Sequence, residues 1–509
     1  MNVLAIDIGT TNVKASVVDE RGRVLRVASR ELSLHSPVPG SAEHSPDELL
    51  SAIRCASKEA AKSFSIEAVA LSCYQHGLLV VDKDLRPLTH ILTHMDCRSA
   101  PYVKLVEQAC DPFDLYRRTG CPPLFVYALP KILWLKRERP HIAAQASRYR
   151  LVKDYVVAKA LGDPYIDYGN ASGSQLFNIT AKRWDDLALQ LAEVDEGQLA
   201  EPVEGAKVLC ELNGRGAELF GVKAGTPLAL GTFDGAAQNL GLGVIEGCDA
   251  ALNLGTTAVV RMLSREPVID VKAMRLFCYY AAHGYWAFGG STNNGGSVLR
   301  WFRDNFGWLE VTAGELLEED PYDILCAEAE RVPPGASGLV FLPFMAGERF
   351  PFRDPYLRGA LLGLRYDHRK GHVIRAFMEG VAMTIRAIVD VLAGVEHKPC
   401  RLVGGGGGLK SKLWASIVSS ATRLPVVRVK GGEHASNIGV AALALIALGA
   451  ASSLERLTEW REVLDVVEPS RELVDAYEEL YRRFTEAYAQ LAPLFRSWAE
   501  ERRASTAAG

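Results

Sequence analysis

Two short stretches of this sequence repeat one chemistry. Asp7, Gly9, Thr10, Thr11 and Lys14 lie close together, flanked by apolar runs at 3–6 and 13–19. A tight Gly-Thr turn between strands can point backbone N–H groups and hydroxyls at a phosphate, and an acid just before it can hold a divalent cation through water. Leu254-Gly255-Thr256-Thr257 repeats the pattern, with Gly255 standing 246 residues beyond Gly9. A hairpin whose polar residues satisfy only local hydrogen bonds would explain either copy alone; a second copy weighs against it. A third stretch sets Asp234 after the apolar run 228–230 and before the small residues Gly235, Ala236 and Ala237. A carboxylate there can take the proton of a hydroxyl that attacks a phosphoryl group, although an acid at a helix start also occurs for capping alone. A fourth runs from a strand into five glycines at 404–408, including Gly404, Gly405 and Gly406, ahead of a predicted helix at 412–420. Glycines let backbone approach a nucleotide, and a helix N-terminus favours its phosphates. No G-K-[ST] and no ribose-binding acid at suitable spacing follows, so this is neither a Walker loop nor a dinucleotide fingerprint.

The elements that must hold these residues are readable in outline. Apolar runs at 3–6, 13–19 and 24–28 predict a strand meander. Ser45, Pro46 and Glu48 predict a capped helix start, and residues 68–73 a further strand. Strand and helix patterns alternate thereafter, which predicts an α/β fold. With 509 residues the chain exceeds one core. The internal echo predicts two duplicated domains, 1–246 carrying substrate and catalytic base and 247–500 carrying nucleotide, with the boundary at 246–249 after a strand-like run at 240–245. Residues 473–499 read as an amphipathic surface helix, and 504–509 as a frayed end.

Composition excludes more than it selects. A net charge of −4 with 23% charged residues of both signs gives no basic surface for nucleic acid. No run approaches the ~18 apolar residues of a spanning helix, and Asp7 interrupts any leader, so no membrane role and a cytoplasmic location are expected. The ten cysteines are scattered without metal-ligand spacing, and are read as small buried hydrophobes in a reducing compartment, with neither zinc site nor disulfide. A homodimer is compatible with all of this, though no residue specifies it.

With these residues in view, the chain resembles the FGGY carbohydrate kinases over residues 1–465. Asp7 to Lys14 and Leu254 to Thr257 are similar to the family's two phosphate motifs, Asp234-Gly235-Ala236-Ala237 to its base motif, and Gly404 to Gly407, with Glu433, Asn437 and Gly439 beyond, to its adenosine motif. The resemblance implies two ribonuclease H-like, actin-like ATPase domains around a central cleft. It also implies ATP and Mg²⁺ as cofactors, Asp234 as base, and the metal near Asp7 and Asp234. Nucleotide contacts are implied at Thr10, Thr11, Lys14, Gly255, Thr256, Thr257, Gly404, Gly405, Gly406, Glu433 and Asn437.

Substrate-side segments carry the resemblance further. Gln75-His76-Gly77 is similar to a xylulokinase segment, Asp96-Cys97-Arg98-Ser99 to one shared with gluconokinases, and Asp167-Tyr168-Gly169-Asn170-Ala171-Ser172 to a widely shared one. Asn293-Asn294-Gly295-Gly296 and Ala346-Gly347-Glu348-Arg349 look like gluconokinase stretches. The chain departs from the common pattern at His94 and at 123–127. The implied substrate contacts are Gln75, His76, Asp96, Arg98, Asp234, Asn293 and Asn294. The expected activity is phosphorylation of a terminal hydroxyl of a small sugar or sugar acid, D-gluconate first, with a pentulose or polyol as the alternative. An actin-like ATPase, or a sugar-binding regulator without turnover, is the alternative of another class.

Overall fold

The structure, a computed structural model, describes the backbone of residues 1–162 and 164–507, with side chains described at all of these except 208–210 and 502–507. Residues 508 and 509 of the expected frayed end lie outside the described residues. The chain forms two compact units. One comprises Met1–Glu246, Leu263–Phe288 and His434–Arg461, and the other Gly247–Met262, Gly289–Glu433 and Glu462–Gly509.

The first unit opens with the meander of β1 (Asn2–Ile8), β2 (Asn12–Asp19) and β3 (Val24–Glu31), followed by α1 (Pro46–Ala61). Ser45 caps α1 by accepting from Glu48 N at 3.3 Å. The Glu48 carboxylate accepts from Ser33 N at 2.7 Å rather than closing a capping box with Ser45. β4 (Ala68–Cys73), α2 (Val152–Leu161), β5 (Val208–Glu211), β6 (Pro227–Phe233) and α3 (Asp234–Gly241) complete the frame. The sheet order is β5-β6-β4-β1-β2-β3. β1 is antiparallel to β2, with Asp7 opposite Lys14, and parallel to β4, with Asp7 beside Ser72. β6 lies parallel to β4 with Thr232 beside Ser72. Leu4, Ile6, Val13, Val17, Leu49, Ile53, Val69, Leu71, Val156 and Leu228 form the core on one face. Three parallel strands therefore end at one edge, where α/β sheets place ligands.

The second unit repeats the plan. β7 (Asp249–Leu254) is antiparallel to β8 (Ala258–Ser264) and, beyond the buried α4 (Lys370–Gly394), parallel to β9 (Arg401–Gly405). α5 (Lys412–Thr422) and β10 (Val426–Val429) follow, and α6 (Ala435–Ala447) returns to the first unit. β11 (Val463–Val467) ends a sheet in which β8, β7, β9, β10 and β11 lie side by side in that order, with the strands Tyr285–Thr292 and Phe277–Ala282 beyond β8, and α7 (Arg471–Ala507) ends the described chain.

Two expectations are corrected. Cys248 and Cys400 form a disulfide; the parallel register that sets Asp249 beside Arg401 brings the preceding cysteines together, with Cα atoms 5.2 Å apart. The cysteines are not uniformly buried either, since Cys55 and Cys97 are exposed. Residues 240–245 are not a strand. α3 runs to Gly241, and Leu242 N and Val244 N then turn back onto Gln238 O and Asn239 O. Among the described residues no helix is long and apolar enough to cross a membrane.

Candidate active site

The strand-end edge of the first unit gathers the acids. Asp7 is the penultimate residue of β1, with Gly9 N closing the turn onto Asn12 O at 2.9 Å and Thr11 exposed beyond it. Oδ1 of Asp7 is buried and has no hydrogen-bond partner among the described residues. Burial pushes the Asp7 carboxyl above its ordinary value, opposed by the Ser72 hydroxyl and by the Lys14 and Lys153 charges. Asp234 is the first residue of α3, with its Oδ1 accepting from Gly235 N at 2.7 Å. Asp7, Asp167 and Asp234, together with Lys153, all act electrostatically on the buried Cys73 thiol, whose pKa is raised chiefly by burial. They thus surround one strand end. α3 is locked against α6 by mutual close approach: a Cβ at Gly439 would stand 1.9 Å from Ala237 O, and one at Gly241 1.9 Å from Ala435 O. Asn437, on α6, donates to Ala5 O at 2.9 Å and Lys14 O at 3.1 Å, clamping the β1–β2 hairpin.

Gln75 and His76 follow β4 directly. Gln75 is buried and donates to Gly169 O at 2.8 Å. His76 holds the left-handed region at φ 69°, a conformation that costs a non-glycine residue about 1–3 kcal/mol and is kept where the surroundings enforce it. Here His76 Nδ1 donates to Gly173 O at 2.8 Å, Lys131 donates to His76 O at 2.5 Å, and the ring lies edge-on to Tyr127 and Tyr279. Asp96 and Arg98 are brought together with each other. Arg98 Nε lies 3.0 Å from Asp96 Oδ1, its Nη2 reaches Glu43 at 2.5 Å, and its guanidinium lies over the Trp134 ring at 4.4 Å.

The second unit holds those residues expected at the nucleotide that lie between 255 and 433. The turn at 255–257 closes with Gly255 N on Thr257 O at 3.0 Å, and Thr256 is exposed. A Cβ at Gly255 would meet nothing nearer than 3.6 Å, whereas at Gly406, with φ +91°, it would meet Asn253 Oδ1 at 2.5 Å. The glycine run thus lies against the end of β7, with Asn253 beside Gly405. Gly404 packs on Leu409, and Glu433 stands in the short helical turn Gly432–His434. Gly295 N and Gly296 N donate to Thr256 O and Gly255 O, which brings the Asn-Asn-Gly-Gly stretch to the same turn. Asn294 is buried and spends its amide on Gly347 O at 2.9 Å and Ala346 N at 3.0 Å, whereas Asn293 is half-buried and donates to Ala346 O at 3.1 Å.

Sequence reasoning passed over two buried charges beside these residues, Lys131 and Lys153, and gave a third, Glu348, no role. Glu348 accepts from Thr292 Oγ1, Asn293 N and Arg349 N, and burial pushes its carboxyl up to about 7. Lys131 donates to the carbonyls of His76, Leu92 and Thr93, and burial lowers its ammonium to about 7. Lys153 pairs with Asp167 at 2.8 Å. Each lysine stands inside an apolar helical run, Ala128–Glu138 or Val152–Leu161, and a charge where the pattern asks for an apolar residue was the available signal.

Residues 2–241 match the model of the FGGY family of carbohydrate kinases, N-terminal domain, and residues 250–448 that of its C-terminal domain. A gluconokinase of Bacillus subtilis (strain 168) is 32% identical over 501 residues, covering 96% of this chain and 97% of that protein. A xylulose kinase of Staphylococcus epidermidis is 27% identical over 502 residues, covering 97% of each. The crystal structure of a gluconate kinase from Lactobacillus acidophilus superposes with a TM-score of 0.89 at 26% identity, covering 98% of this chain and 99% of that one.

Proposed function

Because the chain belongs to the FGGY family of carbohydrate kinases, we propose that it transfers the γ-phosphoryl group of ATP to the terminal hydroxyl of D-gluconate, giving 6-phosphogluconate. Family membership sets aside the filament ATPase and the non-catalytic regulator. The observation that carries the mechanism is the meeting of Asp7 and Asp234 at one strand end, with Asp7 Oδ1 buried and lacking a partner. A carboxylate so placed calls for a cation. Mg²⁺ suits such a place, being an ion held by one or two carboxylates with waters and substrate phosphates. Asp7 and Asp234 would hold it, and when bound it neutralises charge on the phosphate oxygens.

Asp234, the first residue of α3, accepts the proton of the attacking hydroxyl. Thr10, Thr11 and Lys14 in the first unit, and Gly255, Thr256 and Thr257 in the second, orient phosphate oxygens. Gly404, Gly405, Gly406 and Glu433 take the adenosine, and Asn437 acts through the hairpin it clamps. Residues 1–246 therefore carry sugar and base, and 247–500 carry nucleotide. On the sugar side Gln75, His76 and Asn293 present polar groups to hydroxyls, while Asp96, Arg98 and Asn294 shape the segments around them. The gluconate assignment is supported by the gluconokinase relative, which exceeds the xylulose kinase in identity over the same span. The Gln75-His76-Gly77 likeness favours a pentulose as the second reading. A coupled ADP-release assay over gluconate, xylulose, ribulose, ribitol and glycerol tests the choice. Gluconate should lead in kcat/KM, and a ketopentose preferred by roughly tenfold would overturn it.

A further inference from the structure

The strand that delivers Asp234 carries a defect. Ala229 pairs beside Ala70 and Thr232 beside Ser72, so β6 spends one residue more than β4 over the same interval. The extra residue is accommodated at Gly231, in the left-handed region at φ +66°, whose N–H leaves the sheet for Gly205 O at 2.8 Å. Because side chains alternate along a strand, one inserted residue reverses the facing of everything after it. The facing of Thr232, Phe233 and the first residue of α3 therefore depends on this bulge.

A bulge also turns carbonyls away from the ladder, and these need donors. Lys153, fully buried on α2, supplies them. Its Nζ lies 2.8 Å from Leu230 O and 2.8 Å from Thr232 O, on either side of Gly231, and 3.2 Å from Leu71 O on β4. Asp167 balances the charge at 2.8 Å. The Asp167 carboxylate also accepts from Asn170 N at 2.9 Å, and Asn170 Nδ2 donates to Cys73 O at 3.2 Å. One ammonium thus ties together the ends of the two strands that lead to Gln75 and Asp234. A buried pair serving stability alone would not need to face both carbonyls that flank the inserted residue.

We propose that Lys153 is a positioning residue for phosphoryl transfer, its ammonium holding the β6 bulge in the form that aims the Asp234 carboxylate. The inference rests on Asp234 being the base. Without the ammonium, Leu230 O, Thr232 O and Leu71 O lose their buried donor, the bulge relaxes, and the carboxylate shifts against the substrate hydroxyl. The phosphate turns keep their own backbone hydrogen bonds, and Gln75 and His76 stay bonded to Gly169 O and Gly173 O. The loss should therefore fall on kcat and spare KM.

Three full-length variants test this: Lys153→Met, the double variant Lys153→Met/Asp167→Asn, and Asp234→Asn as reference, each measured for Tm, kcat and both KM values. Lys153→Met leaves Asp167 buried without its cation, so its Tm should fall. The double variant removes that uncompensated charge and should regain most of the Tm. Its kcat should nonetheless stay lowered by about 50-fold or more with both KM values within about threefold, the pattern of a misplaced group. Should Lys153→Met fail to fold, the double variant alone decides. A double variant with native Tm and native kcat overturns the inference, as does a loss that appears in KM rather than kcat. Full activity in Asp234→Asn would instead overturn the base assignment, while a slow Asp234→Asn beside a fast double variant would sink only the role of Lys153.

Discussion

The turn after β1 and the turn after β7 share Gly-Thr-Thr and the same hairpin, yet their surroundings differ in kind. Around the first stand Asp7, Asp234, Asp167 and Lys153, all buried or half-buried and all acting on the Cys73 thiol. At the place corresponding to Asp7 the second has the neutral Asn253, and its neighbours are glycines and backbone amides of Gly295 and Gly296. Closing a strand hairpin tightly needs only glycine and small polar residues, so a duplicated scaffold can keep the turn while one copy acquires acids for chemistry and the other stays a neutral cradle. Burying a carboxylate oxygen without a hydrogen-bond partner costs folding free energy, and Asp7 Oδ1 is such an atom in the copy proposed to do the reaction.

The largest break in this comparison is Asp7→Asn, which gives the first turn the residue the second carries. Activity should fall at least ~10²-fold, as removal of a metal-holding or charge-stabilising group commonly costs, whereas Asn253→Asp should leave kcat within a few-fold; steady-state rates over a magnesium series check both. Next comes Gly439→Val. A Cβ there meets Ala237 O at 1.9 Å, so α3 must move, and thermal unfolding should show a loss of about 3 kcal/mol or more. Gly255→Val, where the Cβ has room, should leave Tm unchanged and weaken ATP alone.

The smallest effect concerns the buried acid of the second region. Burial raises the Glu348 carboxyl to about 7 in the folded state, so the folded chain keeps a proton that the unfolded chain releases at lower pH. Stability from this group is full below the unfolded value, declines as pH rises toward about 7 and is flat above it, a change of at most roughly 3 kcal/mol. The Tm of the wild type relative to Glu348→Gln should accordingly decline from pH 5 to pH 8; a constant difference would place the carboxyl in an ordinary environment.

What the sequence made legible was local. Both Gly-Thr turns, the Asp234 helix start and the glycine run at 404–408 are continuous in the chain, and the structure puts each on the predicted strand end or helix start. What it hid depends on register between distant segments. Lys153 finds its partners at residues 71, 167, 230 and 232, and no periodicity in α2 announces them. Cys248 meets Cys400 across a separation of 152 residues only because β7 and β9 pair in parallel. Residues 240–245 looked strand-like from their apolar content, but Gly241 and Gly243 let the chain end a helix there instead, with Gly243 at φ +64°.

The most direct test of the division between a chemical turn and a binding turn is a crossed measurement on Asp234→Asn and Gly255→Val, pairing calorimetric titration with ATP and single-turnover phosphoryl transfer at saturating nucleotide. Asp234→Asn should bind ATP as the wild type does and transfer about 10² to 10⁴ times more slowly, the range that loss of a general base costs. Gly255→Val should bind ATP weakly and, once saturated, transfer at close to the wild-type rate. Equal losses of binding and rate in both variants, or a full transfer rate in Asp234→Asn, would contradict the account.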